Sequence, residues 1–509
     1  MRPLLQRERS SHWSGDLLMI LGWLLAILIV GGLIAWPLGR LHPLFSRLIA
    51  LSAVTLDLAL ALFLAARDFG PGSIADRGWR EDLDWSWIPQ FGIHFHLGMD
   101  GLSVLLLLLT LFLGVVAVVV SWTEITKAVG FYHFNLLLII AGILGVLLSL
   151  DLFLFYFAWE LMLVPMYFLI SVWGRERRVY AATKFFLFTQ LSGLLMLIAL
   201  LALYFAHHQA TGIYTFEYQD LLGTPLGPHR AMWIMLGFLA AFAVKLPIFP
   251  FHTWLPDACA EASAATNLVL ASLMAATSAY AMIRFLLPLF PDAVHAISPI
   301  MIALAVIGIL YSAILAFSQT NLMRLIAYAS IAHLGFVLLA IFAGNSLALR
   351  GAVMTIIAHA ISIGALFLVA GSIEKRVQSR EIDTMGGLWD TMPRLSGVAL
   401  FFALAALGLP GLGDFIGEFL ILIGTYQVHI AAAAVAACGV LAATFYALRF
   451  VQCAFQGPNQ HSWQLPDLAP REALTLGVLM VVLLWLGLYP QPVFETLRQA
   501  ANHGPALWR

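Results

Sequence analysis

Five ionisable side chains fall inside strongly apolar stretches. Glu160 lies in Phe157-Ala158-Trp159-Glu160-Leu161, and Lys245 follows Ala241-Phe242-Ala243-Val244. His333 ends Tyr328-Ala329-Ser330-Ile331-Ala332-His333, His359 sits in Ile356-Ile357-Ala358-His359-Ala360, and Glu418 follows Gly413-Asp414-Phe415-Ile416-Gly417. At bilayer depth each costs at least ~2.5–3.5 kcal/mol on insertion scales, so each needs a reason. Their common chemistry is taking up and releasing a proton. A lysine facing a carboxylate exchanges its proton as the countercharge approaches or withdraws. The bland alternative is a static Glu160–Lys245 pair tying two helices, but desolvation tends to cancel the attraction in such a pair. Two histidines on adjacent helices, with Ser330 and Ser362 nearby, suit a hydrated relay better than packing. Glu418 reads as a functional carboxylate, against the alternative of a loop carboxylate close to water.

The elements that must hold these residues follow from composition. Of 509 residues 62% are apolar and 10% charged, against roughly a quarter charged in ordinary soluble domains. That excludes a soluble enzyme, a nucleic-acid binder and a disordered regulator, and leaves an all-α polytopic membrane protein. The net charge of −1 steers no anionic partner. Cys259, Cys438 and Cys453 match no metal or disulfide spacing, and there is no phosphate loop and no haem or iron–sulfur motif. No cofactor and no metal are therefore expected on this chain, and electrons or nucleotides would be handled by partners.

Apolar windows predict 14 spans, starting near Asp16, Leu44, Asp100, Phe131, Asp151, Tyr180, Met232, Ala264, Ile297, Asn321, Leu347, Leu395, Ile430 and Glu472. Arg2, Arg7 and Arg9 precede the first, whose run over 17–38 is too long for a signal core and lacks a cleavage site. Residues 67–97, with Trp85 and Trp87, and 375–394 are long polar connections. A small excess of Arg and Lys in odd-numbered connections places those in the cytoplasm and both termini outside, although the basic N-terminus argues the other way.

Span seven carries Lys245-Leu246-Pro247-Ile248-Phe249-Pro250, and span twelve carries Gly408-Leu409-Pro410-Gly411-Leu412-Gly413. Proline removes a donor and clashes with the preceding turn, so both helices should break there. The breaks lie five spans apart. An odd offset means opposite orientation, which predicts two inverted five-helix repeats. The chain then divides into helices one to three (1–130), a first repeat (131–290), a second repeat (297–456) and a C-terminal helix (457–509). Two unrelated proline kinks are the alternative.

These residues also carry a resemblance. The lead-in Trp87-Ile88-Pro89-Gln90-Phe91-Gly92 through Met99-Asp100-Gly101-Leu102-Ser103 resembles that of span three in the antiporter-like M chains of bacterial respiratory complex I. Trp159-Glu160-Leu161-Met162-Leu163-Val164-Pro165, Ala243-Val244-Lys245-Leu246-Pro247, Arg324-Leu325-Ile326-Ala327-Tyr328 and Met385-Gly386-Gly387-Leu388-Trp389 add to it, and the likeness covers about residues 17–493. It implies 14 spans, inverted repeats, the bacterial inner membrane, and proton translocation driven by NADH-to-quinone electron transfer elsewhere in the complex. NADH, FMN, iron–sulfur clusters and quinone would belong to partner subunits. The partners would be other membrane-arm chains, including homologous antiporter-like ones, together with the lipid bilayer and no nucleic acid. By position, Glu160 and Lys245 resemble the family's coupled carboxylate and lysine, His333 and His359 its relay, and Glu418 its exit carboxylate.

The pattern fails in span eight. The family places a lysine there; the aligned position is Ala276, in Leu273-Met274-Ala275-Ala276-Thr277-Ser278. Asn321 also replaces a frequent aspartate. Water held by Thr277, Ser278 and the histidines is the expected bridge across the gap. A cation/proton antiporter subunit of the multisubunit type shares the glutamate, lysine and breaks. A non-pumping structural subunit is the reading that the missing lysine keeps open.

Overall fold

In a computed structural model of the chain, residues 20–69, 81–459 and 462–501 are described. Twelve helices among them are long and apolar enough to cross a membrane. They begin within a few residues of the predicted starts: span three is Gly101–Glu124, span four Val129–Leu148, span six Arg178–Thr211, span nine Pro291–Ser318, span ten Leu322–Phe342, span thirteen Ile430–Phe455 and span fourteen Pro470–Leu488. The start of the first span near Asp16 lies outside the described residues. The two expected spans missing from the twelve are the seventh and the twelfth. Span seven runs over Pro228–Lys245, stops, and resumes as Trp254–Glu261; span twelve runs over Pro393–Ala406 and resumes as Gly413–Val428.

Polar residues at the starts explain several boundaries. Asp100, Asp151, Asn321 and Asn345 accept backbone N–H groups of the first turns of spans three, five, ten and eleven, which satisfies donors that have no partner within the helix. Asn321 therefore keeps the capping role of an aspartate. Asp151 and Asn321 also form matching isolated antiparallel bridges, with Glu217 and Glu381 respectively.

Span eight (Ala264–Leu289) and span eleven (Ser346–Val377) are wholly buried in their apolar cores, whereas the cores of spans one (Ile20–Leu41) and two (Pro43–Phe69) are only 33% buried. Spans eight and eleven therefore form the molecular centre. Span eight is π-helical over Leu268–Met274 and Met282–Leu286, an irregularity its sequence did not announce. The polar connection 67–97 leads into the one sheet among the described residues. It is an antiparallel hairpin, β1 (Glu81–Ile88) against β2 (Ile93–Met99), which places Trp85 opposite Phe95. Arg284 lies in span eight, buried and paired with Asp100 at the start of span three.

A cavity of about 660 Å³ opens where the end of span three, the start of span eight, the end of span eleven and the start of span fourteen meet. Glu124, Arg175, Glu374 and Arg380 stand in its wall. Arg175 and Arg380 both pair with Glu374, and Glu124 accepts the N–H groups of Ala264 and Ala265 at the start of span eight.

Candidate functional site

Lys245 is the last helical residue before the break in span seven. It is buried; its Nζ donates to the Trp159 carbonyl at 3.3 Å and stands 3.6 Å from the centroid of the Trp159 ring. The ring face and the carbonyl both favour a cation there. The break itself is held by the chain: Trp254 Nε1, beyond it, donates to the Val244 carbonyl at 2.8 Å, replacing a backbone donor that the interrupted helix no longer supplies.

Span five runs over Leu152–Trp173 and loosens at Met162, one turn before Pro165 and two residues after Glu160. Glu160 and Lys245 line one cavity of about 10 Å³, together with Trp159, Phe185, Thr189 and Met274. That is about the room one water occupies. The pair shares this cavity without a direct ion pair among the described residues, so the static tie is not what the geometry presents. Span six makes space for the carboxylate at Gly193, where a Cβ would overlap Glu160 Oε1.

The second cluster surrounds the break in span twelve. Glu418 is buried, and its Oε1 lies 2.5 Å from His333 Nδ1 on span ten. His333 Nε2 is 3.1 Å from the Tyr446 hydroxyl on span thirteen, and the rings of His333 and His359 have centroids 5.4 Å apart. His359 Nε2 is 3.0 Å from Ser330 Oγ. Span twelve reaches this position because Gly413 and Gly417 let its second helix lie directly against span eleven. A Cβ on Gly413 would stand 3.0 Å from that of Ala358, and one on Gly417 would strike the Thr355 backbone. All five residues singled out in the sequence thus fall into two groups, half-buried Glu160 with buried Lys245, and buried His333, His359 and Glu418.

Span eight lies between the groups. Ala276 is buried there. The expected bridging hydroxyls are committed: Thr277 Oγ1 donates to the Met274 carbonyl at 2.7 Å and Ser278 Oγ to the Phe242 carbonyl at 2.6 Å. Each donates to a carbonyl and can still accept a hydrogen bond from water, but neither points its own donor across the gap. Ser272, one turn before Ala276, is buried with no hydrogen-bond partner for its Oγ. It faces span eleven, 3.3 Å from where a Cβ on Gly364 would stand.

Sequence reasoning missed Ser272, Tyr446 and the Arg284–Asp100 pair. Tyr280, also on span eight, bonds to Arg284 at 3.3 Å and to the Leu147 carbonyl at 2.9 Å. Tyr446 offers no local signal, since it meets His333 only through the fold. Arg284 had one: it stands within Met282-Ile283-Arg284-Phe285-Leu286, an apolar run rather than a loop.

The family model described as NADH:quinone oxidoreductase/Mrp antiporter, transmembrane, matches residues 149–445. The chain is 47% identical over 499 residues to NADH-quinone oxidoreductase subunit M of Pseudomonas aeruginosa, covering 96% of this chain and 98% of that one. It is 46% identical over 497 residues to the subunit M of Escherichia coli, covering 95% and 97%. Among solved structures, a chain of respiratory complex I from Thermus thermophilus with bound NADH is similar with a TM-score of 0.84 and 30% identity, over 96% of this chain and all of that one. A chain of the Mrp complex from a Dietzia species shares the fold at a TM-score of 0.81 and 23% identity, over 94% and 52%.

Proposed function

Since the chain belongs to the NADH:quinone oxidoreductase/Mrp antiporter family of membrane subunits, we propose that it translocates protons in the membrane arm of an NADH:quinone oxidoreductase. Quinone reduction in other subunits would drive the transfer, and NADH, FMN, iron–sulfur clusters and quinone would be bound there. The chain would sit in the bacterial inner membrane beside homologous antiporter-like subunits.

The observation that carries the reading is the buried His333–Glu418 contact at the broken span twelve, with His359 behind it. A group so polar is costly in a membrane interior, and by default marks an ion or proton path. Glu160 and Lys245 are its counterpart at the broken span seven. A proton held near Lys245 would pass by way of span eight to His359 and His333, and leave through Glu418. The matching Asp151–Glu217 and Asn321–Glu381 pairings, five spans apart, support reading 131–290 and 297–456 as inverted repeats within fourteen spans.

The test is proton uptake by proteoliposomes holding the assembled complex, normalised to NADH oxidised. Lys245→Ala and Glu418→Gln should each slow translocation through this chain by about 10²-fold, the low end for losing a proton-transfer group. Uptake at the parent's ratio in both would refute the reading. One observation favours a non-pumping structural subunit: Ala276 and the committed hydroxyls of Thr277 and Ser278 close the middle of span eight. That reading expects the parent ratio from both variants.

A further inference from the structure

We infer that Asp414 is a second proton-carrying carboxylate of the span-twelve cluster, acting with Glu418 on protons that arrive from His359. The inference rests on the relay reading above and extends it to a residue outside that set.

Asp414 lies in the first turn of the Gly413–Val428 helix, immediately beyond the break, and is 1% exposed. Glu418 follows four residues later, so the two side chains rise from the same helix face. That face meets span eleven through Gly413 and Gly417. Ser362, on span eleven one turn after His359, donates its hydroxyl to Asp414 Oδ1 at 2.9 Å. The same Oγ lies 3.4 Å from the His359 carbonyl. Asp414 Oδ2 and His359 Nδ1 are both buried and neither has a hydrogen-bond partner. The cluster therefore holds two polar atoms, on facing helices, with open capacity for a proton.

A helix-start role is the competing explanation, because a carboxylate in the first turn complements the helix dipole. The geometry argues against it as the whole account. The helix has no side-chain cap, and Asp414 Oδ1 is engaged across the interface by Ser362. A carboxylate serving only the dipole has no need of a partner on span eleven or of a second, buried oxygen left without a partner.

The step balances as a plain proton transfer. Since the two atoms are not hydrogen-bonded to each other, a water between them carries the step: the N–H bond at protonated His359 Nδ1 breaks, the water passes a proton on, and an O–H bond forms at Asp414 Oδ2, leaving neutral imidazole, water and neutral acid. Asp414 then gives the proton to the Glu418 carboxylate, so the two acids share one proton and one negative charge. Such a pair titrates as a unit rather than as two independent groups. His333, bonded to Glu418 and to Tyr446, faces the remaining charge.

The experiment compares Asp414→Asn, Asp414→Glu and Glu418→Gln in the assembled complex, reading proton uptake per NADH oxidised across pH together with infrared difference spectra using carboxyl-labelled aspartate. Asp414→Asn keeps shape and hydrogen bonding. It should slow translocation about 10²-fold, while Asp414→Glu restores uptake and changes its pH profile. A labelled aspartate carboxyl signal should appear in the parent during turnover and vanish in Asp414→Glu. If Glu418→Gln fails and Asp414→Asn pumps like the parent, Asp414 is not a carrier and the relay reading survives. If neither variant changes uptake, the relay reading itself falls. Should Asp414→Asn not assemble, the infrared signal decides: its absence in the parent, or its persistence in Asp414→Glu, overturns the inference.

Discussion

At the scale of single residues, the chemistry depends on neighbours that position a charge rather than on the charge alone. Glu160 is held in place from span six, where Gly193 leaves no side chain in its way. Gly193→Ala should displace the carboxylate from the cavity it shares with Lys245, at an overpacking cost of about 1–3 kcal/mol. The complex should still assemble and oxidise NADH, while proton uptake falls as it does in Glu160→Gln. Uptake at the parent level in Gly193→Ala would mean that span six does not set the carboxylate. This is also where the sequence was most and least informative. Glu160, Lys245, His333, His359 and Glu418 announce themselves because charge in an apolar run is expensive, and the fold gathers them into two groups. Their partners are silent in the chain. The Trp159 ring under Lys245 and the Tyr446 hydroxyl on His333 come from packing between helices far apart in sequence. Asp414 stood one turn before Glu418 in plain view, but a carboxylate beside a break reads equally well as a loop residue until its burial is known.

At the scale of elements, both breaks were legible as Leu-Pro steps, yet proline is only part of what makes span twelve turn. Gly408 and Gly411 have φ of +78° and +97°, a region that costs an L-residue about 1–2 kcal/mol. A Cβ on Gly411 would meet nothing within 4 Å, so Gly411→Ala isolates the backbone cost. It should lower the stability of the assembled subunit in thermal melts by about 1–2 kcal/mol, whereas Pro410→Ala, which keeps both glycines, should cost about 0.4–1 kcal/mol. The reverse order would assign the break to proline. The helix leading into the break is fixed from outside the repeat. Asp467, in the connection before span fourteen, accepts the N–H groups of Arg394 and Leu395 at 3.0 Å and of Leu468 at 2.8 Å. Partial burial pushes its pKa up, but these backbone donors outweigh it, and the carboxyl lies below the usual range. A depressed carboxyl contributes stability above its unfolded pKa, about 3.9, and loses it as pH falls through the folded value. Asp467→Ala should therefore destabilise by about 1 kcal/mol at neutral pH, with the gap to the parent closing below pH about 4. A gap that stays constant on acidification would show that the carboxylate charge is not what caps span twelve. That tie, like the β1–β2 hairpin, was invisible in the sequence, because a polar connection carries no periodicity that says what it touches.

At the scale of the whole molecule, the two groups have to communicate through spans eight and eleven, which occupy the centre. The cavity holding Glu160 and Lys245 reaches span eight at Met274, and the span-eleven face carrying His359 passes Ser272 at Gly364. The unbroken part of the route thus lies along one turn of span eight, from Ser272 to Ala276. The π-helical winding of Leu268–Met274 sets which side chains that turn presents, a change of register that an ordinary helical reading of the sequence does not contain. Ser272 has an uncommitted hydroxyl on this turn, and Ala276 has nothing with which to hold a proton. If Ser272 is the link, Ser272→Ala should slow proton uptake per NADH about 10²-fold, whereas Thr277→Val, whose hydroxyl is already spent on its own helix, should leave it unchanged. Ala276→Lys restores a charged stopping point four residues along. It should rescue Ser272→Ala and leave the otherwise unaltered chain level or faster. The double variant separates the possibilities because a lysine at 276 bypasses the serine without replacing it. If Ser272→Ala pumps like the parent, protons cross span eight elsewhere. If only chains carrying Ala276→Lys pump through this subunit, the natural span eight is sealed and the structural reading wins.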